Sequence, residues 1–121
     1  MIVVAEDHED IRFVLQRALE RAGHQVVVAG DGAAALEAVR RHRPDIVVTD
    51  VDMPRMTGLD LCRAIRADAG LRHIPVVLAS GAMEPGDERA AEVGANATLL
   101  KPFLPAQLLA CVAALLPAQP A

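Results

Sequence analysis

Five short apolar runs recur along the chain, Ile2 to Ala5, Gln25 to Ala29, Asp45 to Thr49, Ile74 to Ser80 and Asn96 to Leu100, with a helical pattern between each pair. Runs so short and so rich in β-branched and aliphatic residues read as buried strands, the fifth being the weakest. Neighbouring parallel strands need a crossover of a dozen or more residues, usually a helix. Strict alternation of strand and helix therefore predicts an α/β fold, a parallel sheet with helices on both faces.

The helical segments carry their own start and stop signals. In the first, Ile11, Val14, Leu15, Ala18 and Leu19 recur on one side while Arg12, Gln16, Arg17, Glu20 and Arg21 take the other, and Gly23 supplies the stop. The second is expected from Gly32 to His42, with Asp31 as N-cap, Leu36 and Val39 inward, and Pro44 at the exit. Thr57-Gly58-Leu59-Asp60 opens the third in the manner of a capping box, with Leu61 and Ile65 inward. A fourth, poorly patterned, is expected from Pro85 to Val93 before Gly94. The fifth starts at Pro105, a favoured first helical residue, and points Leu108, Val112 and Leu115 inward.

The 121 residues suffice for one hydrophobic core, read as a single domain over 1–116 followed by a short tail or linker at 117–121. Hydrophobic residues make up 53% of the chain, in runs far shorter than the roughly 20 a membrane span needs, so the expectation is a soluble protein without membrane contact. Met1 leads straight into Ile2, Val3 and Val4 with no basic segment, which places the protein in the cytoplasm. The net charge of -4 is spread among interspersed acids and bases, and no basic stripe suggests direct nucleic-acid binding. Cys62 and Cys111 match no metal or redox spacing, and His8, His24, His42 and His73 are scattered.

In open parallel sheets, ligands bind beyond the carboxyl ends of the strands. Those ends carry Glu6 and Asp7 after the first strand, Asp50 after the third, Ser80 after the fourth and Lys101 after the fifth. Three carboxylates brought together repel one another unless a cation shares them. Oxygen ligands with positions left for water and phosphate suit Mg²⁺, or Mn²⁺ in its place. Lys101 and Ser80 then offer an ammonium and a hydroxyl to a phosphoryl group. Asp50 is the preferred nucleophile over Asp52, because it follows directly on a rigid strand whereas Asp52 lies in the loop approaching Pro54.

These residues resemble the receiver domain of bacterial two-component response regulators over essentially the whole chain. The resemblance rests on Glu6-Asp7, Asp50-Val51-Asp52-Met53-Pro54 with Met56-Thr57-Gly58, Ala79-Ser80-Gly81, Gly94-Ala95 and Lys101-Pro102-Phe103. It implies a flavodoxin-like, doubly wound five-stranded parallel sheet in the order 2-1-3-4-5 with five helices. It also implies that Asp50 accepts a phosphoryl group from a histidine kinase or a histidine phosphotransfer protein and signals to a downstream partner or output domain. On the same ground Asp7 and Asp50 are expected as direct Mg²⁺ ligands with the Asp52 carbonyl, and Glu6 as a ligand through water. Ser80 and Lys101 would touch the phosphoryl group, and the Lys101-Pro102 peptide is expected to be cis. Such a domain modifies only itself and is not a turnover enzyme.

Two departures stand out against that family. Thr98 occupies the place, three residues before the lysine, where most relatives carry the aromatic side chain that swings inward on activation. Asp52 and Ala82, two positions beyond the acceptor and the hydroxyl, stand where relatives tune the lifetime of the acyl phosphate. The sequence ends near its fifth helix, so no output domain is expected within it.

Singly, each site residue has an ordinary explanation, as a helix-start acid, a turn former around Pro54 or a solvated lysine. Their convergence on one end of one sheet outweighs those explanations. A haloacid-dehalogenase-type phosphatase shares the Asp50-Val51-Asp52 pattern, but it leaves Glu6-Asp7 unexplained. A phosphate-independent interaction module with the same fold is the other alternative, separable by whether Asp50 takes up phosphate.

Overall fold

The computed structural model describes residues 1–116, and the expected tail at 117–121 lies outside them. The elements run β1 (Ile2–Ala5), α1 (Glu9–Arg21), β2 (Val26–Ala29), α2 (Gly32–His42), β3 (Ile46–Asp50), α3 (Gly58–Ala67), β4 (Val76–Ser80), α4 (Glu88–Val93), β5 (Ala97–Leu100) and α5 (Pro105–Leu115). The sheet order is β2-β1-β3-β4-β5 and all four pairings are parallel. This is the architecture expected from the alternation and from the family resemblance.

Alternate residues of each central strand feed opposite faces. Val3, Ala5, Val47, Val76 and Leu78 join one cluster with Ala35, Leu36 and Val39 of α2, Leu61, Cys62 and Ile65 of α3, and Ala90 and Val93 of α4. Ile2, Val4, Ile46, Val48 and Val77 join the other with Leu15 and Leu19 of α1 and Leu108 and Val112 of α5. Burying one such Leu or Ile contributes about 1.5–3 kcal/mol, so the three central strands anchor the molecule. The carboxyl ends of β1 and β3 lie side by side, but β1 leads away toward β2 and β3 toward β4. Their loops diverge and leave a crevice there.

Four expectations are corrected. Ile11 and Val14 belong to the apolar side of α1 by spacing, yet they are 37% and 54% exposed; the buried residues of α1 are Leu15 and Leu19. Leu115, in the last turn of α5, packs against the core that Leu108 and Val112 enter fully, but is half-buried and not buried. Helix α4 starts at Glu88, three residues later than expected, because Asp87 accepts from the Arg89 N–H as N-cap and residues 81–87 form a loop. Asp50 is the last residue of β3, paired with Ala79, not the residue after the strand.

Helix α3 begins close under the end of β3, and this closeness depends on a glycine. A methyl at Gly58 would collide with the Asp50 carbonyl oxygen and lie 2.9 Å from Val51 Cα. The Gly58 N–H instead donates to the Val51 carbonyl at 3.0 Å, as does Met53 N–H at 3.1 Å. The Thr57–Asp60 capping box then fixes the helix start, with Asp60 N–H on Thr57 Oγ1 at 3.2 Å and Thr57 N–H on Asp60 Oδ2 at 3.1 Å. Far from the crevice, Arg66 of α3 donates to the carbonyls of Gly94, Arg72 and Ile74 and to Asn96 Oδ1, tying α3 to the approaches of β4 and β5.

Candidate functional site

The crevice gathers one carboxylate oxygen each from Glu6, Asp7 and Asp50, all within 4.8 Å of one another. Glu6 and Asp50 are almost fully buried, at 2% and 5% exposure, while Asp7 faces solvent. Backbone register explains the arrangement: Ala5 pairs with Thr49, so the acids that follow on β1 meet the acid that ends β3. The donors are all carboxylate oxygens, and such a set fits a hard divalent cation of the Mg²⁺ or Mn²⁺ kind.

Lys101 closes the site from β5. Its ammonium lies 3.1 Å from Glu6 Oε2 and 3.1 Å from Asp50 Oδ1, bridging acids from two strands. The Lys101-Pro102 peptide that follows is cis, as the family resemblance implies. Burial pushes both the Glu6 and Asp50 carboxyls above the ordinary carboxylate range, against the downward pull of Lys101. The Asp50 charge adds to the rise at Glu6. Burial alone would lower the Lys101 ammonium, but its hydrogen bonds to Asp50 and Glu6 outweigh that and raise it. One ammonium thus faces more negative charge than it can neutralise, and a further cation would relieve the excess.

Ser80 ends β4 on the other side of the crevice. Its hydroxyl donates to Asp52 Oδ2 at 3.4 Å and accepts from the Ala82 N–H at 3.0 Å. Asp52 itself is exposed and stands in the turn between β3 and α3, where Arg55 takes a left-handed φ of 66°. The apolar strand thus holds Asp50 in place, and the turn closed by Gly58 leaves the next backbone units free at the crevice. All the acids, the hydroxyl and the ammonium expected at the carboxyl ends therefore border one crevice, though Ser80 contacts Asp52 and not Lys101. Thr98 is half-buried and lines a groove of about 390 Å³ together with the small residues Gly86, Ala90, Ala91 and Ala97.

Sequence reasoning missed Arg89. Its side chain reaches back from α4 to the Ala82 carbonyl beside Ser80. The one local signal was a cation in the first turn of a helix, where the dipole disfavours it. Met53 and Met83, at 4% and 1% exposure, were missed as well; they plug the undersides of the two loops flanking the crevice.

Comparison with known proteins agrees with this geometry. A family model for the response regulator receiver domain matches residues 2–113. The sensory/regulatory protein RpfC of Xanthomonas campestris is 43% identical over 111 residues, 89% of this chain but 15% of RpfC. The DNA-binding response regulator MtrA of Mycobacterium tuberculosis is 39% identical over 114 residues, 93% of this chain and 49% of MtrA. The chain therefore spans about half the length of one relative and a small part of the other. Among solved structures, the chemotaxis protein CheY4 of Vibrio cholerae superposes with a TM-score of 0.89 at 31% identity, covering 95% of this chain and 97% of that one. The receiver domain of a sensor histidine kinase from Pseudomonas aeruginosa, with a magnesium ion coordinated in its active-site cleft, gives 0.85 at 29% identity and 94% of both chains. With the sheet order, the acidic crevice and the match over nearly its whole length in agreement, this chain belongs to the response regulator receiver domain family of two-component signalling.

Proposed function

We propose that this receiver accepts a phosphoryl group on Asp50 from the phosphohistidine of a kinase or phosphotransfer protein, and that the new charge resets the loops after β3 and β4. The observation that carries the reading is the placement of Lys101 Nζ at 3.1 Å from Asp50 Oδ1 within a cluster of three carboxylates. Asp7, Asp50 and the Asp52 carbonyl would hold Mg²⁺ directly and Glu6 through water. When bound, the ion offsets the repulsion between the carboxylates and the incoming phosphoryl oxygens.

An Asp50 carboxylate oxygen bonds to phosphorus as the phosphorus–nitrogen bond of the donor breaks, and the electron pair returns to the imidazole. Lys101 stays beside Asp50 and gives a hydrogen bond to one phosphoryl oxygen. Ser80 turns from Asp52 to another, drawing the Ala82 segment with it. The protein thus modifies and unmodifies itself and processes no second substrate. A donor docks along α1, where Ile11, Phe13 and Val14 are exposed beside the site and border two apolar grooves of about 580 and 450 Å³. Among the described residues no helix is long and apolar enough to cross a membrane.

The test is intact mass after incubation with acetyl phosphate and Mg²⁺. One phosphoryl adduct is expected in the wild type, and none in Asp50→Asn or without the metal. No adduct, and no beryllofluoride-induced NMR shift either, would favour the phosphate-independent module, a reading to which the small Thr98 lends its only support.

A further inference from the structure

β2 stands at one edge of the sheet, paired only with β1. Ile2 N–H donates to the Gln25 carbonyl at 2.8 Å and Glu6 N–H to the Ala29 carbonyl at 3.0 Å, so the odd-numbered residues of β2 turn their backbone groups toward β1. Val26 and Val28 therefore direct N–H and C=O away from the sheet, and these groups have no partner among the described residues. Edge strands are commonly blunted by lysine, proline or a bulge. β5, at the other edge, runs straight into Lys101 and Pro102. From His24 to Gly30 the chain has neither residue type, and the three valines of β2 are only half-buried.

Helix α1 carries a matching charge pattern beside this edge. Leu15 and Leu19 are its buried residues, and Val14, Ala18 and Arg21 line the groove shared with Leu109 of α5. At about 100° per residue, Arg12, Gln16 and Glu20 fall on the flank away from α5, over the free edge of β2. Arg12 Nη1 reaches the end of the strand, 2.9 Å from where a Cβ on Gly30 would stand, and the Leu19 carbonyl accepts from His24 N–H at 3.1 Å ahead of its start. Gln16 lies between these contacts, level with Val27. The flank thus reads cation, neutral, anion about the middle of the strand, and neither Arg12 nor Glu20 has an ion-pair partner among the described residues.

We propose that two copies of this chain associate about a two-fold axis beside Val27, with β2 pairing antiparallel to β2 of the second copy and Arg12 of each facing Glu20 of the other. In that pairing Val26 stands opposite Val28 of the second copy and exchanges both hydrogen bonds with it, and Val28 does the same with Val26. A two-fold contact uses one patch twice, so the patch must complement itself, and here both the backbone groups and the charges meet that condition. The sheet continues through both copies. The acidic crevice lies between β1 and β3, one strand farther in, and stays open, as does the side of α1 that exposes Phe13 and Val14.

The experiment is sedimentation equilibrium over a concentration series reaching about 1 mM, since a short strand edge makes a small and weak interface. The wild type is expected to approach twice the mass of one chain. Val28→Pro removes an outward N–H that takes no part in the β1 ladder, and should leave a monomer. Glu20→Arg sets a second arginine against Arg12, and Arg12→Glu sets a second glutamate against Glu20, so each variant alone should associate at least about tenfold more weakly. Mixed in equal amounts the two should form dimers again, because Arg12 of one then meets Glu20 of the other and the two introduced charges, opposite in sign, meet as well. A folding defect would not be repaired by mixing. A wild type that stays monomeric to the top of the series, a dimer indifferent to Val28→Pro or to both charge reversals, or single variants that mixing does not rescue overturns the proposal.

Discussion

The two sides of the crevice are built differently. On one, Glu6 and Asp50 stand at the ends of central strands, nearly closed to solvent, and the half-buried Lys101, which follows the edge strand β5, pairs with both at 3.1 Å. On the other, Ser80, Asp52, Ala82 and Arg89 meet through hydrogen bonds of 3.0 to 3.4 Å, and all but Ser80 sit on exposed loops or the first turn of a six-residue helix. Buried charges in a low-dielectric setting tolerate little displacement, since an unpaired one costs several kcal/mol, whereas an exposed hydrogen bond exchanges with water at little net cost. The Lys101 side is thus suited to stay put while chemistry happens, and the Ser80 side to move.

The strongest way to break that contrast is Lys101→Met, which leaves Glu6 and Asp50 buried without their cation. We expect a loss of about 3 kcal/mol in metal-free urea unfolding at neutral pH, the lower end for one partner of a buried pair because both acids can take up a proton. Mg²⁺ should recover much of it. Acetyl phosphate should still modify Asp50, but the accompanying NMR shifts should shrink, and shifts equal to those of wild type would deny Lys101 its part in the response.

Gly58→Ala strikes the same rigid side through the backbone. The added methyl meets the Asp50 carbonyl and Val51 Cα, so β3 or α3 must give way. A cost of about 2 kcal/mol, in the range for overpacking, is expected together with slower phosphorylation. An unchanged rate of adduct formation would show that the position of Asp50 does not depend on this contact.

Acidity offers a gentler probe. Because burial raises the Glu6 and Asp50 carboxyls, the folded metal-free protein binds more protons than the unfolded chain just above the ordinary carboxylate range. Stability conferred by those protons is present below about pH 4 and declines as pH rises through the raised values. Asp50→Asn should flatten that decline and raise the melting temperature at neutral pH, and Mg²⁺ should flatten it in the wild type. A metal-free stability that climbs steadily with pH through this range would contradict the electrostatics of the crevice.

Ser80→Ala should be the mildest. It removes a 3.4 Å hydrogen bond to an exposed carboxylate and the acceptor of the Ala82 N–H at 3.0 Å, so the unfolding free energy should fall by about 1 kcal/mol. The conformational response to phosphorylation should nonetheless weaken. A stability loss as large as that of Lys101→Met would erase the distinction between the two sides.

How legible these sides were in the sequence follows the same division. Glu6, Asp7, Asp50, Ser80 and Lys101 could be located because each follows or ends an apolar strand, and parallel strands bring their carboxyl ends together whatever their order. Arg89, the late start of α4 and the burial of Met83 could not, because they depend on how one loop folds back on a neighbour. Spacing placed Ile11 and Val14 on the same stripe as Leu15, but helical period says nothing of how wide a stripe the sheet will cover.

By itself the sequence determined the alternation of strand and helix, the inward residues of the central strands and the capping of α2 and α3, since each depends on residues within a turn or two of one another. Only the tertiary structure decided that Lys101 spans Glu6 and Asp50, that Ser80 leans on Asp52, and that Arg66 joins Gly94, Ile74 and Asn96. Lys101 and Glu6 stand 95 positions apart, and Ser80 and Asp52 28. Contacts across such separations depend on the order and register in which the sheet assembles, which no local pattern encodes.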